Sequence, residues 1–156
     1  MKYAKSEVGK TVFARLLEDE DLLEAITQVA AKSKIHAGFF TLIGTLKSAR
    51  LGFFRDGKYV PIEMRQPLEI VSCLGNVSIK EGKVFPHAHL AVSDEVGKVS
   101  GGHAMSGCII GATGELVLVE ASGVKLTRKP DEKTKLSLLS FSKSTARSGK
   151  SRSTSV

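Results

Sequence analysis

The strongest constraint on this chain is a change of period at Gly38. From Glu18 to Lys34 the apolar residues Leu22, Leu23, Ile26, Val29 and Ala30 recur at helical spacing and leave one apolar stripe on a polar surface. After Gly38 the sequence breaks into short apolar runs punctuated by turn residues, the pattern of strands joined by hairpins. The runs are Phe39 to Ile43, Ala49 to Phe54, Tyr59 to Met64, Leu68 to Ile79, Val84 to Ser93, and a last stretch from Lys98 to Glu120 expected to hold two strands. Asp56-Gly57 and Glu81-Gly82 stand where tight hairpins need residues that tolerate positive φ. The expected fold class is therefore α+β: a central, hairpin-rich antiparallel sheet with one main helix packed on it. The helix has an acidic first turn (Glu18, Asp19, Glu20, Asp21) and Lys32 and Lys34 at its end, charges that suit its dipole, with Asp19 or Asp21 as the cap.

With 156 residues the chain is long enough for one self-sufficient core, so a metal would not be needed for stability alone. The expected division is a folded domain over residues 1–139 and a serine-rich, basic, disordered tail over residues 140–156. The entire net charge of +7 lies in residues 121–156, where nine Lys or Arg face only Asp131 and Glu132, and the rest of the chain is balanced. Such a segment can hold DNA phosphates by counterion release, or simply keep a protein soluble. Cys73 and Cys108 sit in apolar strings and read as packed thiols, not a disulfide scaffold. Neither a secretory signal nor a membrane-length apolar stretch is present, so no membrane partner is expected and the cytoplasm is the expected location.

Three of the four histidines, His87, His89 and His103, fall in one short segment. In a strand, His87 and His89 share a face, while Ala88, Leu90 and Val92 take the other, apolar one. Glu95-Val96-Gly97 reads as a three-residue loop with Gly97 in the left-handed position, which pairs Asp94 with Lys98 and, counting outward, His89 with His103. The two would then stand directly opposite, with Cβ atoms about 4.5–5.5 Å apart and His87 one diagonal step away. A slip of one residue would turn His103 to the far face, and Gly101-Gly102 is a place where a bulge could cause it. Three converging neutral imidazoles are the donor set of a catalytic-type zinc site with a fourth position open, and other divalent metals accept it too. Met105 and Cys108 read as core, and His36, just after the helix, as a helix-end or packing residue.

Glu69, Glu115 and Glu120 are charges inside strand-like runs, which alternation allows to face solvent. Glu115 is the candidate for a general base or for a second-shell acceptor, should it point into the histidine pocket. No phosphate loop, nucleotide fingerprint, nucleophile elbow or Cys-x-x-Cys pair occurs.

Leu42-Ile43-Gly44-Thr45-Leu46, the run Leu68 to Val77, Pro86-His87-Ala88-His89-Leu90 and Gly101-Gly102-His103 together resemble the plants-and-prokaryotes-conserved (PPC) domain over roughly residues 10 to 125. The resemblance implies an antiparallel α+β fold assembled as a homotrimer. Land-plant members carry an AT-hook and act in chromatin and transcription, and prokaryotic members are often described as DNA-binding. This chain lacks the Arg-Gly-Arg-Pro core of that hook. The fold is also similar to that of acetolactate decarboxylase, which holds zinc by a His-x-His pair and one later histidine, an arrangement that His87, His89 and His103 match. Three functions remain open: a trimeric zinc or other divalent-metal module with a regulatory or small-molecule-sensing role, a DNA-associated protein using residues 121–156, and a metal-dependent lyase or hydrolase acting on a small molecule.

Overall fold

A computed structural model describes residues 1–143. Its elements run β1 (Glu7–Leu16), α1 (Leu22–Lys32), β2 (Gly38–Arg55), β3 (Lys58–Met64), β4 (Leu68–Lys80), β5 (Lys83–Ser93), β6 (Val99–Ala104), β7 (Ile109–Ser122), β8 (Val124–Pro130) and β9 (Ser137–Lys143). The class is α+β, as the periodicity predicts: a mostly antiparallel sheet with one short helix.

The helix is shorter than its apolar stripe because both ends are set by caps. Asp21 Oδ1 accepts the N–H groups of Leu23 (3.0 Å) and Glu24 (3.1 Å), which starts the helix at Leu22. Its other oxygen accepts the Gly107 N–H at 2.7 Å and ties the cap to the turn between β6 and β7. Glu18 and Asp19 lie outside the helix, and both hold Lys47. At the far end Lys34 takes a left-handed φ of 57°, its N–H donates to Ala31 O, and that of Ile35 donates to Ala30 O. These two bonds form a Schellman motif, with Lys34 where glycine is usual. Leu22, Ala25, Ile26 and Ala30 are the buried face.

Both predicted turns form, with Asp56 and Gly57 at φ 53° and 78°, and Glu81 and Gly82 at 51° and 78°. The two strands expected between Phe39 and Phe54 are instead one strand of 18 residues. Nothing between them reverses the chain, and register irregularities from Leu42 to Ser48 bend the ladder without ending it. One edge of β2 carries β7 and then β6, and the other carries β4 and then β3. Because β4 pairs β5 and β5 pairs β6, the ladders β2–β4–β5–β6–β2 close into a ring. Phe40, Leu42, Leu51, Cys73, Leu90, Val92 and Leu118 are among the side chains buried inside. Each fully buried Leu or Ile contributes about 1.5–3 kcal/mol relative to exposure.

Three strands were not anticipated. β1 pairs with the edge of β7, and β8 and β9 form a hairpin whose recorded link to the sheet is one parallel bridge, Ile79↔Thr127. The domain boundary expected at residue 139 falls inside β9. Residues 140–143 continue the ladder, with Phe141 opposite Leu126 and Lys143 opposite Val124, because backbone pairing orders a segment that its composition would leave loose. The rest of the expected tail, 144–156, lies outside the described residues.

Candidate metal centre

The β5–β6 loop decides where the histidines point. Gly97 has φ 77°, its N–H donates to Asp94 O at 3.0 Å, and the Asp94 N–H donates to Lys98 O at 3.1 Å. Asp94 Oδ1 also accepts the N–H groups of Val96 and Lys98, which makes the loop rigid. From there the ladder runs unbroken through Ser93↔Val99 to His89↔His103, with no bulge at Gly101-Gly102. His87 faces the same way, opposite Asn76 on β4.

The three rings meet. Their centroids are 5.3 Å (His87 and His89), 4.9 Å (His87 and His103) and 5.6 Å (His89 and His103) apart. One nitrogen from each lies within 4.8 Å of the other two. Nitrogens bound tetrahedrally at 2.0–2.1 Å from zinc stand about 3.3 Å apart, so small ring rotations would complete the set. His89 is exposed and the other two are half-buried.

Burial favours the neutral form of His87 and His103. Burial pushes the His87 pKa down to about 4, helped by Arg128, His103 and His89. Burial also lowers that of His103, with His89 and Arg128 adding to it. Neutral imidazoles keep the lone pairs a metal needs. His103 Nδ1 is buried and has no hydrogen-bond partner, a cost that a ligand would relieve. The donor set therefore fits a divalent cation of the zinc type.

The surroundings are aromatic and cationic. Tyr59 stacks on His103 with centroids 4.4 Å apart and planes 18° apart, and Phe54 meets Tyr59 edge-on at 5.3 Å. Gly52, opposite His103 on β2, makes this possible: a Cβ there would stand 2.7 Å from the Tyr59 ring and 3.1 Å from Met105 Sδ. Arg128 reaches in from β8. Its Nη2 donates to Asn76 Oδ1 at 2.6 Å and its Nε to Ser78 Oγ at 3.2 Å.

The carboxylates do not join the cluster. Glu115 is exposed on β7, opposite Arg15 and Ile43, and lines neither cleft that touches the histidines. Glu69 pairs across to Thr45 and Ser93, and Glu120 accepts the Lys10 N–H. A larger groove of about 520 Å³ holds Glu18, Glu69, Asp94 and Glu95 but no histidine. Cys73 and Cys108 are buried and unpaired, and burial pushes the Cys73 thiol up to about 12. His36 is exposed beyond α1. The sequence reading missed Arg128, counting it only as tail charge. The signal was there, since Arg128 falls in phase with Val124 and Leu126 along β8, the less exposed phase of that strand.

Residues 3–122 match the Plants and Prokaryotes Conserved (PCC) domain. The chain belongs to the PCC domain family. A metal-containing protein from Archaeoglobus fulgidus is 36% identical, with 88% of this chain and 98% of that one covered and a TM-score of 0.82. A plant- and prokaryote-conserved protein from Pyrococcus horikoshii is 34% identical, with 90% and 97% covered and a TM-score of 0.83. A protein from Ralstonia eutropha JMP134, named for a supposed DNA-binding role, is 27% identical, with 89% and 95% covered and a TM-score of 0.72. The bifunctional protein GlmU of Synechococcus sp. (strain JA-3-3Ab) is 33% identical over 121 residues, which are 77% of this chain but only 18% of that protein. The histidines of this PCC domain lie within the matched span, whereas β8, β9 and Arg128 lie beyond it.

Proposed function

We propose that this PCC protein is a divalent-metal binding module, with His87, His89 and His103 as the ligands and zinc as the metal, and that it uses the metal to hold or sense a small ligand. The observation that carries this reading is the meeting of three imidazoles on one face of a hairpin, with burial favouring the neutral form of His87 and His103. The metal-containing relative from Archaeoglobus fulgidus supports it. Zinc held by three imidazoles keeps a fourth position for water or a ligand. The polypeptide's own part is to keep His87 and His103 neutral and to fix the His103 plane against Tyr59.

The test is metal analysis of protein purified without a histidine tag. About one zinc per chain after loading is expected. Less than about one tenth of a divalent metal per chain, unchanged on adding zinc, overturns the reading.

The same proposal includes self-association as a trimer. Cross-strand neighbours form one row across the sheet, Phe13, Val117, Thr41, Leu74, His89 and His103. Phe13 and Leu74 in this row, with Phe39 and Ile43 beside it, are 54% to 78% exposed. An apolar strip of this kind favours a protein partner over water. Light scattering should give three times the 16.7 kDa chain mass; a monomer at micromolar concentration would remove this part. The buried, unpaired thiols suit a reducing, cytoplasmic setting.

DNA association through residues 121–156 is the second reading, favoured by the Ralstonia relative and by the exposed Lys125 and Lys129 on β8. It requires binding that weakens steeply with salt and is lost when residues 140–156 are removed. A lyase or hydrolase would need an acid or base beside the metal, and Glu115 does not line that cleft.

A further inference from the structure

Next to the histidines lies a cleft of about 310 Å³ that borders His87 and His103. Its charged lining is all of one sign: Lys58, Lys80, Arg128 and Lys135, with no Asp or Glu. Like charges gathered round one space repel each other unless something negative enters it. Lys80 Nζ and the Arg128 guanidinium carbon stand 5.3 Å and 5.9 Å from the Phe85 ring centroid, a contact that orients both but neutralises neither.

Arg128 is the best placed of the four. It is half-buried, burial holds its pKa below the usual arginine value, and no carboxylate pairs with it among the described residues. A buried cation without a counter-ion is costly. The guanidinium is nonetheless held still, by Asn76 Oδ1 at 2.6 Å, Ser78 Oγ at 3.2 Å and a longer contact with Ser137 O at 3.5 Å. The Ser78 hydroxyl, itself fully buried, donates onward to Phe85 O. Three of the five guanidinium N–H groups are thus engaged by neutral acceptors, which leaves two for an outside partner. A fixed guanidinium with two spare donors matches the two oxygens of a carboxylate or phosphate group. Tyr59 and Phe85 give the cleft apolar walls, and its size is at the small end of ligand pockets, which run from about 300 Å³.

We propose that this cleft binds a small organic acid, with Arg128 anchoring its carboxylate or phosphate group and Lys58, Lys80 and Lys135 supplying the attracting field. This deepens the metal-centre reading by naming the class of ligand, and it rests on that reading only in placing the ligand's far end against the histidines.

The test titrates succinate, and separately inorganic phosphate, into the full-length protein before and after zinc loading, with uncharged succinamide as control. One anion site per chain is expected, with no binding of succinamide. Preference for succinate or for phosphate tells which acid group the cleft takes. Arg128→Gln should weaken binding at least about tenfold and leave zinc content unchanged, and Arg128→Lys, which keeps the charge but not the fork, should fall between. Equal binding by Arg128→Gln, binding of succinamide as tight as succinate, or no anion binding with or without zinc would each overturn the proposal. So would a short DNA duplex that displaces the anion with the same dependence on Arg128. If Arg128→Gln melts too early to titrate, Lys58→Gln and Lys135→Gln, both exposed, carry the test: a few-fold weakening is expected, and unchanged binding overturns it. Zinc uptake without anion binding removes this proposal alone. Arg128-dependent anion binding without zinc uptake removes the metal reading alone.

Discussion

The two hairpins that meet at the site are built on different terms. β5–β6 is woven into the closed ring, with β4 on one side and β2 on the other, and its inward residues Ala88, Leu90, Val92 and Ala104 are buried. β8–β9 joins the sheet by one parallel backbone bridge and by the Arg128 hydrogen bonds to Asn76 and Ser78, and its Leu138 and Leu139 are 42% and 40% exposed. The first hairpin presents the three imidazoles, and the second delivers the guanidinium. The family match ends between them, at residue 122. The histidines thus lie inside the family match, whereas the charge beside them comes from a hairpin beyond it, a region into which the solved relatives, covering 88% and 90% of this chain, also extend.

The largest effect that tests this contrast is loss of a donor. His103→Ala should lower zinc affinity by more than about 100-fold in competition with a chromogenic chelator, since even outer-shell changes cost about 10- to 100-fold. Retained affinity would mean that the ring's core position is not what matters. Stability should separate the hairpins next. Leu90→Ala is expected to cost about 2–5 kcal/mol in urea unfolding, and Leu139→Ala about 0.5 kcal/mol or less. A comparable loss at Leu139 would show β8–β9 to be as integral as β5–β6. A chain ending at Gly123 should still fold and bind zinc within about tenfold of the full chain, because every donor and its supporting ladder remain.

A further effect is one of pH. In the folded, metal-free protein the His87 pKa lies near 4, below its ordinary 6.5, so on acidification the unfolded chain takes up the proton first. The stability linked to His87 is whole above pH 6.5, shrinks as pH falls toward 4 and is gone below that. Urea midpoints measured across this window should fall with pH, and His87→Phe should flatten the slope. Arg128→Gln should raise the lower limit of the window slightly, because Arg128 is the second cause of the shift after burial. A slope unchanged in His87→Phe would place the titration elsewhere.

Much of the site was legible from the chain. The His89↔His103 pairing followed from one loop, Glu95-Val96-Gly97, because a short hairpin turn fixes register and a period of two fixes facing. The helix was legible in its stripe but not in its ends, since Asp21 competes with Asp19 for the cap and wins by also holding Gly107. β2 was read as two strands because an interior strand that bends without turning has no local mark. Residues 140–143 were read as loose because composition says nothing about a partner strand. Tyr59 and Gly52 carried no signal either: a glycine left bare so that a tyrosine can stack on a histidine 44 residues later is visible only once the strands are side by side.

What the sequence determined alone is everything carried by neighbours within one turn or one strand pair: the fold class, the hairpin turns, and the face and register of the three histidines. Such features depend on alternation, loop length and positive φ, which a few adjacent residues settle. The tertiary structure decided the rest: the closure of the ring around β2, the exclusion of Glu115, and the arrival of Arg128 from 25 residues past His103. These depend on which distant strand edges find each other, and that follows from the packing of the whole core, which no local pattern encodes.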